Sequence, residues 1–274
     1  MSENINRKVA LIGLGKMGGI LLRAFLDRKL IQAGQVRATV RHERRIDYLK
    51  SEFGVEVGTD NLSAAEWADI ILLCVKPKTV LEVLKQIGPS IQPPAFVISV
   101  AASVSTKQIQ QFLPPGTAMI RAMPNTPCSV GQGMTALCRG RTAGEEQIEL
   151  AGRLFNSVGR TVVVDEKHFD AVTGLSASGP AFIYIILESL AEAGVKVGLP
   201  REVSTMLAAQ TALGASQVVL DTGSHPALLK DAVTTPAGCT IDGILELEEG
   251  KLRVTLIKAV VKATQRAGEL VVRE

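Results

Sequence analysis

Aromatic residues are scarce in this chain. One Trp, two Tyr and seven Phe make up 4% of 274 residues, although 46% of the residues are apolar, so the core has to be built from Ala, Val, Leu and Ile. The length fits two modest domains or one at the upper size limit. Cysteine is equally sparse. Cys74, Cys128, Cys138 and Cys239 form no Cys-x-x-Cys pair and no metal-ligand spacing, which speaks for reduced thiols in a cytosol-like compartment and against a bound metal. Neither sign of charge is in excess: 30 Lys and Arg are interspersed with 27 Asp and Glu, so no nucleic-acid footprint is visible. No apolar run approaches the roughly 20 uninterrupted residues of a bilayer span. The run 9–12 is too short, and too soon followed by glycines, for a signal-peptide core of ~7–15 residues. The opening Ser2-Glu-Asn-Ile-Asn6 lacks the arginines of a transit peptide. A soluble, unprocessed, cytoplasmic protein is expected, with neither membrane nor nucleic acid as partner.

What is present divides in two. Up to residue 164, short Val/Ile/Leu runs alternate with helical patterns. The runs at 8–12, 36–40, 70–75, 96–100, 118–122 and 161–164 predict strands, and 17–27, 44–52, 79–87, 106–112 and 145–158 predict helices. This alternation predicts an α/β fold with a mostly parallel sheet covered on both faces. After Asp165 only helical periodicity remains, at 169–197, 201–220, 226–232, 240–248 and 252–271. The expected domains are therefore 1–164, α/β, and 165–274, all-helical. The helical part is rich in small residues and poor in rings, so it has little core of its own. Its helices pack either within the chain or against a second subunit.

Gly13-Leu-Gly-Lys-Met-Gly18 places Gly-x-Gly-x-x-Gly directly after a strand and at the start of a helix. Gly13 permits the tight turn, Gly15 lets backbone approach a pyrophosphate, and Gly18 brings helix and strand together; Lys16 and Met17 complete the loop. An NAD-specific site would place an acidic side chain at the end of the second strand. Here that position opens the basic cluster Arg41-His-Glu-Arg-Arg45. Arg41 is read as stacking on adenine or pairing with a 2′-phosphate, with Arg44 or Arg45 as helper, so NADPH is expected and nearby Glu43 leaves NADH use open. The plainer reading is that Arg44 and Arg45 solvate the next helix. Val75-Lys76-Pro77 and Ala101-Ala102 follow the next two expected strands, where doubly wound sheets bind ligands. Lys76 is read as a cofactor contact or as a surface lysine covering apolar neighbours.

In the second half, Thr234-Thr-Pro-Ala-Gly-Cys-Thr240 interrupts the helical pattern, and a new helix restarts near Gly238. Its free N–H groups, with the hydroxyls of Thr234, Thr235 and Thr240 nearby, suit an anion; the alternative is a simple capping turn. Ser176, Ser178 and Gly179 likewise either complete a pocket or cap a helix. His42, His168 and His225 show no ligand spacing and are expected to be non-catalytic.

These blocks, together with Val100-Ala-Ala-Ser103, Met123-Pro-Asn-Thr-Pro127 and Asp170-Ala-Val-Thr-Gly-Leu-Ser-Ala-Ser-Gly-Pro180, resemble pyrroline-5-carboxylate reductases, in that family's order from near residue 8 to near residue 270. The resemblance implies NAD(P)H-dependent reduction of a cyclic imino acid to proline, the last step of proline biosynthesis. It further implies a Rossmann-type domain followed by an all-helical dimerisation and substrate domain, with dimers that interlock and commonly form rings. On this reading the amides of Cys239 and Thr240 grip the substrate carboxylate, Gly238 leaves room for it, and the Thr240 hydroxyl meets the ring nitrogen as the catalytic residue. Thr235 and Ser178 complete the substrate site. The family places Asn125 beside the nicotinamide and Asn61 toward the 2′ side of the nucleotide; Cys239 is a spacer. Some members carry a glutamate where this chain has Gly223, so any contact made through it is absent or replaced. Two rivals stand beside this reading. A β-hydroxyacid or 6-phosphogluconate-type dehydrogenase needs a lysine four residues after Gly179, where this chain has Ile183 and no lysine until Lys196. A non-catalytic NADPH sensor would not need the threonine-rich helix start.

Overall fold

The computed structural model describes residues 4–270. Eight strands form one sheet in the order β3-β2-β1-β4-β5-β6-β7-β8. They are β1 (Val9–Ile12), β2 (Val36–Thr39), β3 (Glu56–Gly58), β4 (Ile70–Leu73), β5 (Phe96–Ser99), β6 (Met119–Met123), β7 (Gly133–Arg139) and β8 (Gly159–Val163). Neighbours run parallel except β6 and β7, whose register pairs Ile120 with Arg139 and Met123 with Ala136. Side chains alternate across the pleat, so β1 sends Val9 and Leu11 to one core and Ala10 and Ile12 to the other. The first core packs α1 (Lys16–Asp27), α2 (Ile46–Phe53) and α6 (Glu145–Asn156) through Phe25, Leu49 and Phe155. The opposite core packs α3 (Asn61–Trp67), α4 (Pro77–Ile87) and α5 (Thr106–Gln110) through Ala64, Leu84 and Ile109.

Six expected strands are present within a residue or two of their predicted positions. Two others were not foreseen. β3 has one buried residue, Val57, between an exposed Glu and a half-buried Gly, too little apolar pattern to announce a strand. β7 reads Gly-Met-Thr-Ala-Leu-Cys-Arg, and its pairing with two neighbours, more than its own periodicity, makes it a strand. Helix α3 was also missed; its inward face is only Ala64 and Ala65.

From Glu166 on, the described residues hold helices and turns: α7 (Phe169–Val172), a π-helical turn at Thr173–Ala177, α8 (Gly179–Lys196), α9 (Arg201–Thr222), α10 (Pro226–Ala232), α11 (Cys239–Glu249) and α12 (Leu252–Glu269). The single helix expected at 169–197 is thus broken by the π-helical turn. The Val271 end of the last expected helix, and Ser2 and Glu3 of the opening segment, lie outside the described residues. The chain forms two compact units, one reaching to Ala177 together with α12 from Ala263 on, the other Ser178–Lys262. Within the second, α8 and α9 approach closely at Gly194, where a Cβ would stand 2.6 Å from Ser204 Oγ. Apolar and polar side chains are mixed around α9 with no single apolar face, and Leu207, Leu213 and Leu220 are exposed. By length and composition, 166–196 and Arg201–Thr222 would suffice to cross a bilayer, each at a mean hydropathy of 1.3.

Gly159, which opens β8 at φ 151, faces the backbone of Gly133, and a Cβ there would collide with the Gly133 carbonyl oxygen. Gly159→Ala is therefore expected to cost about 3 kcal/mol or more, read as a lower urea midpoint at fixed protomer concentration.

Candidate active site

A cleft of about 520 Å³ opens at the carboxyl ends of β1, β4 and β5. The loop after β1 forms its floor. Gly13 has φ 98, and a Cβ on it would stand 2.7 Å from Val75 Cγ1. The Thr39 carbonyl oxygen accepts from the amides of Gly13 (3.2 Å) and Leu14 (2.7 Å), and the Gly15 amide donates to Gly13 O (2.7 Å). These loop amides are therefore occupied, and the free donors are those of Lys16, Met17 and Gly18 in the first turn of α1, which has no side-chain cap. Such a turn suits a phosphate.

The three glycines serve different needs. A Cβ on Gly18 would stand 2.8 Å from Gly13 O and 3.0 Å from Leu11 Cδ2, so helix–strand packing requires glycine there. A Cβ on Gly15 would meet nothing closer than Gly13 O at 4.0 Å. The protein's own packing leaves that position open, on the face toward the cleft. This is a cradle that a side chain would fill, and it fits a dinucleotide.

Arg41 and Arg45 both line the cleft, whereas Arg44, beside them in the 3₁₀ turn Glu43–Arg45, does not. Asn61 opens α3 outside the lining, with Nδ2 3.4 Å from Gln86 Oε1. Val75, Lys76 and Pro77 line the cleft, Lys76 being the exposed residue before α4 and Pro77 its first residue. Ala101 and Ala102 line the far end. Asn125 does not reach the lining; its neighbours Pro124 and Thr126 do. The Asn125 amide instead joins three segments, donating to Ser176 O (3.2 Å) and Ser176 Oγ (3.4 Å) and accepting from the Met134 amide (2.9 Å). Cys74, Val100 and Thr126 also line the cleft without having been singled out from the sequence, although Val100 and Thr126 lie inside recognised blocks and Cys74 directly precedes one. Burial pushes the Cys74 thiol up to about 12, so it stays protonated. Burial likewise raises Cys128, and it takes Cys138 up to about 11 with the charge of Glu166 adding to the effect.

In the second compact unit, a turn precedes α11. The Gly238 amide donates to Thr235 O (3.0 Å), with Pro236 and then Ala237 at φ 56 between them. Proline's fixed φ followed by a positive φ is type II turn geometry. Gly238 is the residue before the helix and offers no side-chain cap, which leaves the first-turn amides of Cys239 and Thr240 uncapped. A Cβ on Gly238 would collide with Thr235 Oγ1, a packing reason for glycine that the sequence did not reveal. Thr240 is half-buried, whereas Thr235 and Cys239 are exposed. The Thr234 hydroxyl is engaged elsewhere, donating to Lys230 O (2.8 Å). Ser178 stands before α8 without capping it by its side chain. His225 caps α10, its Nδ1 accepting from the Ala227 amide at 3.2 Å. Gly223 ends α9 at φ 65, a conformation that disfavours glutamate. No group of His, Cys, Asp and Glu able to hold a metal occurs among the described residues.

Residues 166–270 match the family described as Pyrroline-5-carboxylate reductase dimerisation, and residues 8–103 match NADP oxidoreductase coenzyme F420-dependent. A pyrroline-5-carboxylate reductase of Methanosarcina acetivorans is 39% identical, over 97% of this chain and 98% of that protein. The chain belongs to the pyrroline-5-carboxylate reductase family. A pyrroline-5-carboxylate reductase structure from Coxiella burnetii shares the fold at a TM-score of 0.91 and 34% identity, covering 98% of this chain and all of that one. A Plasmodium falciparum pyrroline carboxylate reductase, solved with NADP bound, gives a TM-score of 0.88 and 28% identity, covering 98% of this chain and 100% of that one. Like its family, the chain is an NAD(P)H-dependent oxidoreductase, and its helical part is a dimerisation domain through which it self-associates.

Two outcomes follow from this geometry. Gly15→Ala should leave the urea midpoint unchanged but weaken NADPH binding by about tenfold or more, while Gly18→Ala should lower the midpoint as well; fluorescence titration and denaturation separate them. Cys128 and Cys138, both buried, should resist an aromatic disulfide reagent at pH 8 and react only on unfolding, measured by thiol release.

Proposed function

We propose that the chain reduces the C=N bond of 1-pyrroline-5-carboxylate to give L-proline, with the site residues divided between its two parts. Functionally, 1–164 is the dinucleotide domain and 165–274 the substrate and dimerisation domain. NADPH, when bound, supplies the hydride. The amides of Lys16, Met17 and Gly18 hold its pyrophosphate, and Gly13 and Gly15 keep side chains out of the way. Arg41 and Arg45 face the 2′-phosphate, Arg44 adds charge from outside the cleft, and Asn61, which lies outside the lining beside Gln86, is assigned to the 2′ side by the family resemblance alone. Val75, Lys76, Pro77, Ala101, Ala102 and Asn125 form or brace the wall toward the nicotinamide. NADH use remains open because one charge-assisted contact separates the two cofactors by only ~1.5–3 kcal/mol.

A protonated imine is already electrophilic, so the protein needs only to position it. The amides of Cys239 and Thr240 clamp the carboxylate, and Gly238, Thr235 and Ser178 shape the pocket. The Thr240 hydroxyl hydrogen-bonds the ring nitrogen and relays the proton that converts the neutral imine to the iminium before hydride is added to its carbon. The observation that supports this division is the uncapped start of α11, with two free amides beside a half-buried threonine hydroxyl. The apolar faces of α8 and α9 are read as dimer contacts, in keeping with the family match over 166–270, and not as bilayer spans. Dimers assemble further into rings, and the enzyme works in the cytoplasm.

Loss of absorbance at the reduced-nicotinamide band tests the reaction directly. Thr240→Ala is expected to lower kcat/KM by about 10²-fold, the scale of a positioned proton donor, and an unaltered value removes Thr240 from that role. Arg41→Ala combined with Arg45→Ala should raise KM for NADPH about tenfold relative to NADH.

A further inference from the structure

We propose that Arg121 and Glu166 are positioning residues that hold together the two loops at the nicotinamide end of the cleft, 100–104 and 124–126. This rests on the placement of the cofactor given above. Arg121 sits in the middle of β6 between Ile120 and Ala122 and is 5% exposed. Its Nη1 donates to Glu166 Oε1 at 3.0 Å, and its guanidinium lies 4.5 Å from the centre of the buried Phe169 ring. Its Nε has no partner among the described residues. The pair is only half-buried, the Glu166 side chain being 29% exposed against 6% for Arg121, and an ion pair that reaches solvent adds little to stability. Its value here lies in what it connects.

Glu166 grips the start of α5 with both oxygens. Oε1 accepts from the Thr106 amide at 2.7 Å, and Oε2 accepts from the Thr106 hydroxyl at 2.6 Å. Thr106 ends the loop that carries Ala101 and Ala102 into the cleft. Within that loop Ser103 is held at φ 61, a strained conformation that needs support from its surroundings. On the other side, β6 leads directly into Pro124-Asn125-Thr126. Phe169, beneath the Arg121 guanidinium, begins the α7 and π-helical segment that carries Ser176, and Ser176 accepts from Asn125. The contacts close a ring from β6 through Arg121, Phe169, Ser176 and Asn125 back to the end of β6, with Glu166 linking that ring to loop 100–104. A shift of Glu166 therefore moves both walls of the nicotinamide end while the phosphate loop stays in place.

The test uses the full-length enzyme with NADPH and its 4-deuterated form. Glu166→Ala should lower kcat by about tenfold and raise the deuterium isotope effect on kcat, because misaligned walls slow hydride transfer until it limits turnover. KM for pyrroline-5-carboxylate and the fluorescence-measured Kd for NADPH should change by less than about threefold, since the phosphate loop and the start of α11, which the substitution leaves in place, hold the larger share of both ligands. Thr106→Val, which removes one hydroxyl, should show a smaller change of the same kind, and Thr106→Ser should restore wild-type behaviour. An unaltered isotope effect, or a kcat loss that tracks only the fraction of NADPH-binding sites, would assign the pair a purely structural role and overturn the proposal. Should Glu166→Ala fail to fold, the two Thr106 variants decide the matter alone. Wild-type enzyme that fails to turn over would instead sink the functional reading, so the two failures are distinguishable.

Discussion

Helix α1 reaches the carboxyl end of β1 only because Gly18 carries no side chain, a Cβ there standing 2.8 Å from Gly13 O. That close approach decides which backbone groups face the cleft. The carbonyl of Thr39 on the neighbouring strand occupies the amides of Gly13 and Leu14, and Gly13 O occupies that of Gly15. The donors still free are therefore the first turn of α1, at the positive end of its dipole. Around that turn the cleft is lined by a basic strand end at Arg41 and by the ends of β4 and β5. The α11 turn repeats the device in the second unit, where Gly238 and the strained Ala237 leave the amides of Cys239 and Thr240 uncapped.

The two halves of the chain solve the burial problem differently. In the first, strands such as Ile70–Leu73 are buried on both faces and the sheet supplies its own core. In the second, small residues let α8 and α9 touch, but Leu207, Leu213 and Leu220 stay exposed in the single chain. Large apolar side chains left exposed in this number mark a surface that a partner covers. Association through this region, which the family match names a dimerisation domain, thus belongs to the fold itself.

How much was legible follows from where burial falls. Strands β1, β4 and β5 announced themselves as continuous apolar runs because both faces are covered. β3 and β7 did not, since Glu56-Val-Gly buries one side chain and β7 depends on its neighbours' hydrogen bonds. The π-helical turn at Thr173–Ala177 was invisible because it alters hydrogen bonding without altering composition. Within the site, the glycine loop was readable from spacing, since each glycine answers a local steric demand. The choice between Arg44 and Arg45 was not readable, because a 3₁₀ turn decides which of two adjacent arginines faces the cleft. Nor was the bracing role of Asn125, whose partners Met134 and Ser176 are far apart in sequence.

The sequence by itself determined the α/β order, the dinucleotide loop and the threonine-rich helix start, because these rest on local sterics, hydrogen bonding and periodicity over a few residues; the family followed from the resemblance of several motifs in order along the chain. Only the tertiary structure decided which arginines line the cleft, that Gly15 is left open whereas Gly18 is packed, and that Arg121, Glu166 and Thr106 meet. Those facts depend on distances between segments up to 60 residues apart in the chain, which chain folding sets and local sequence does not encode.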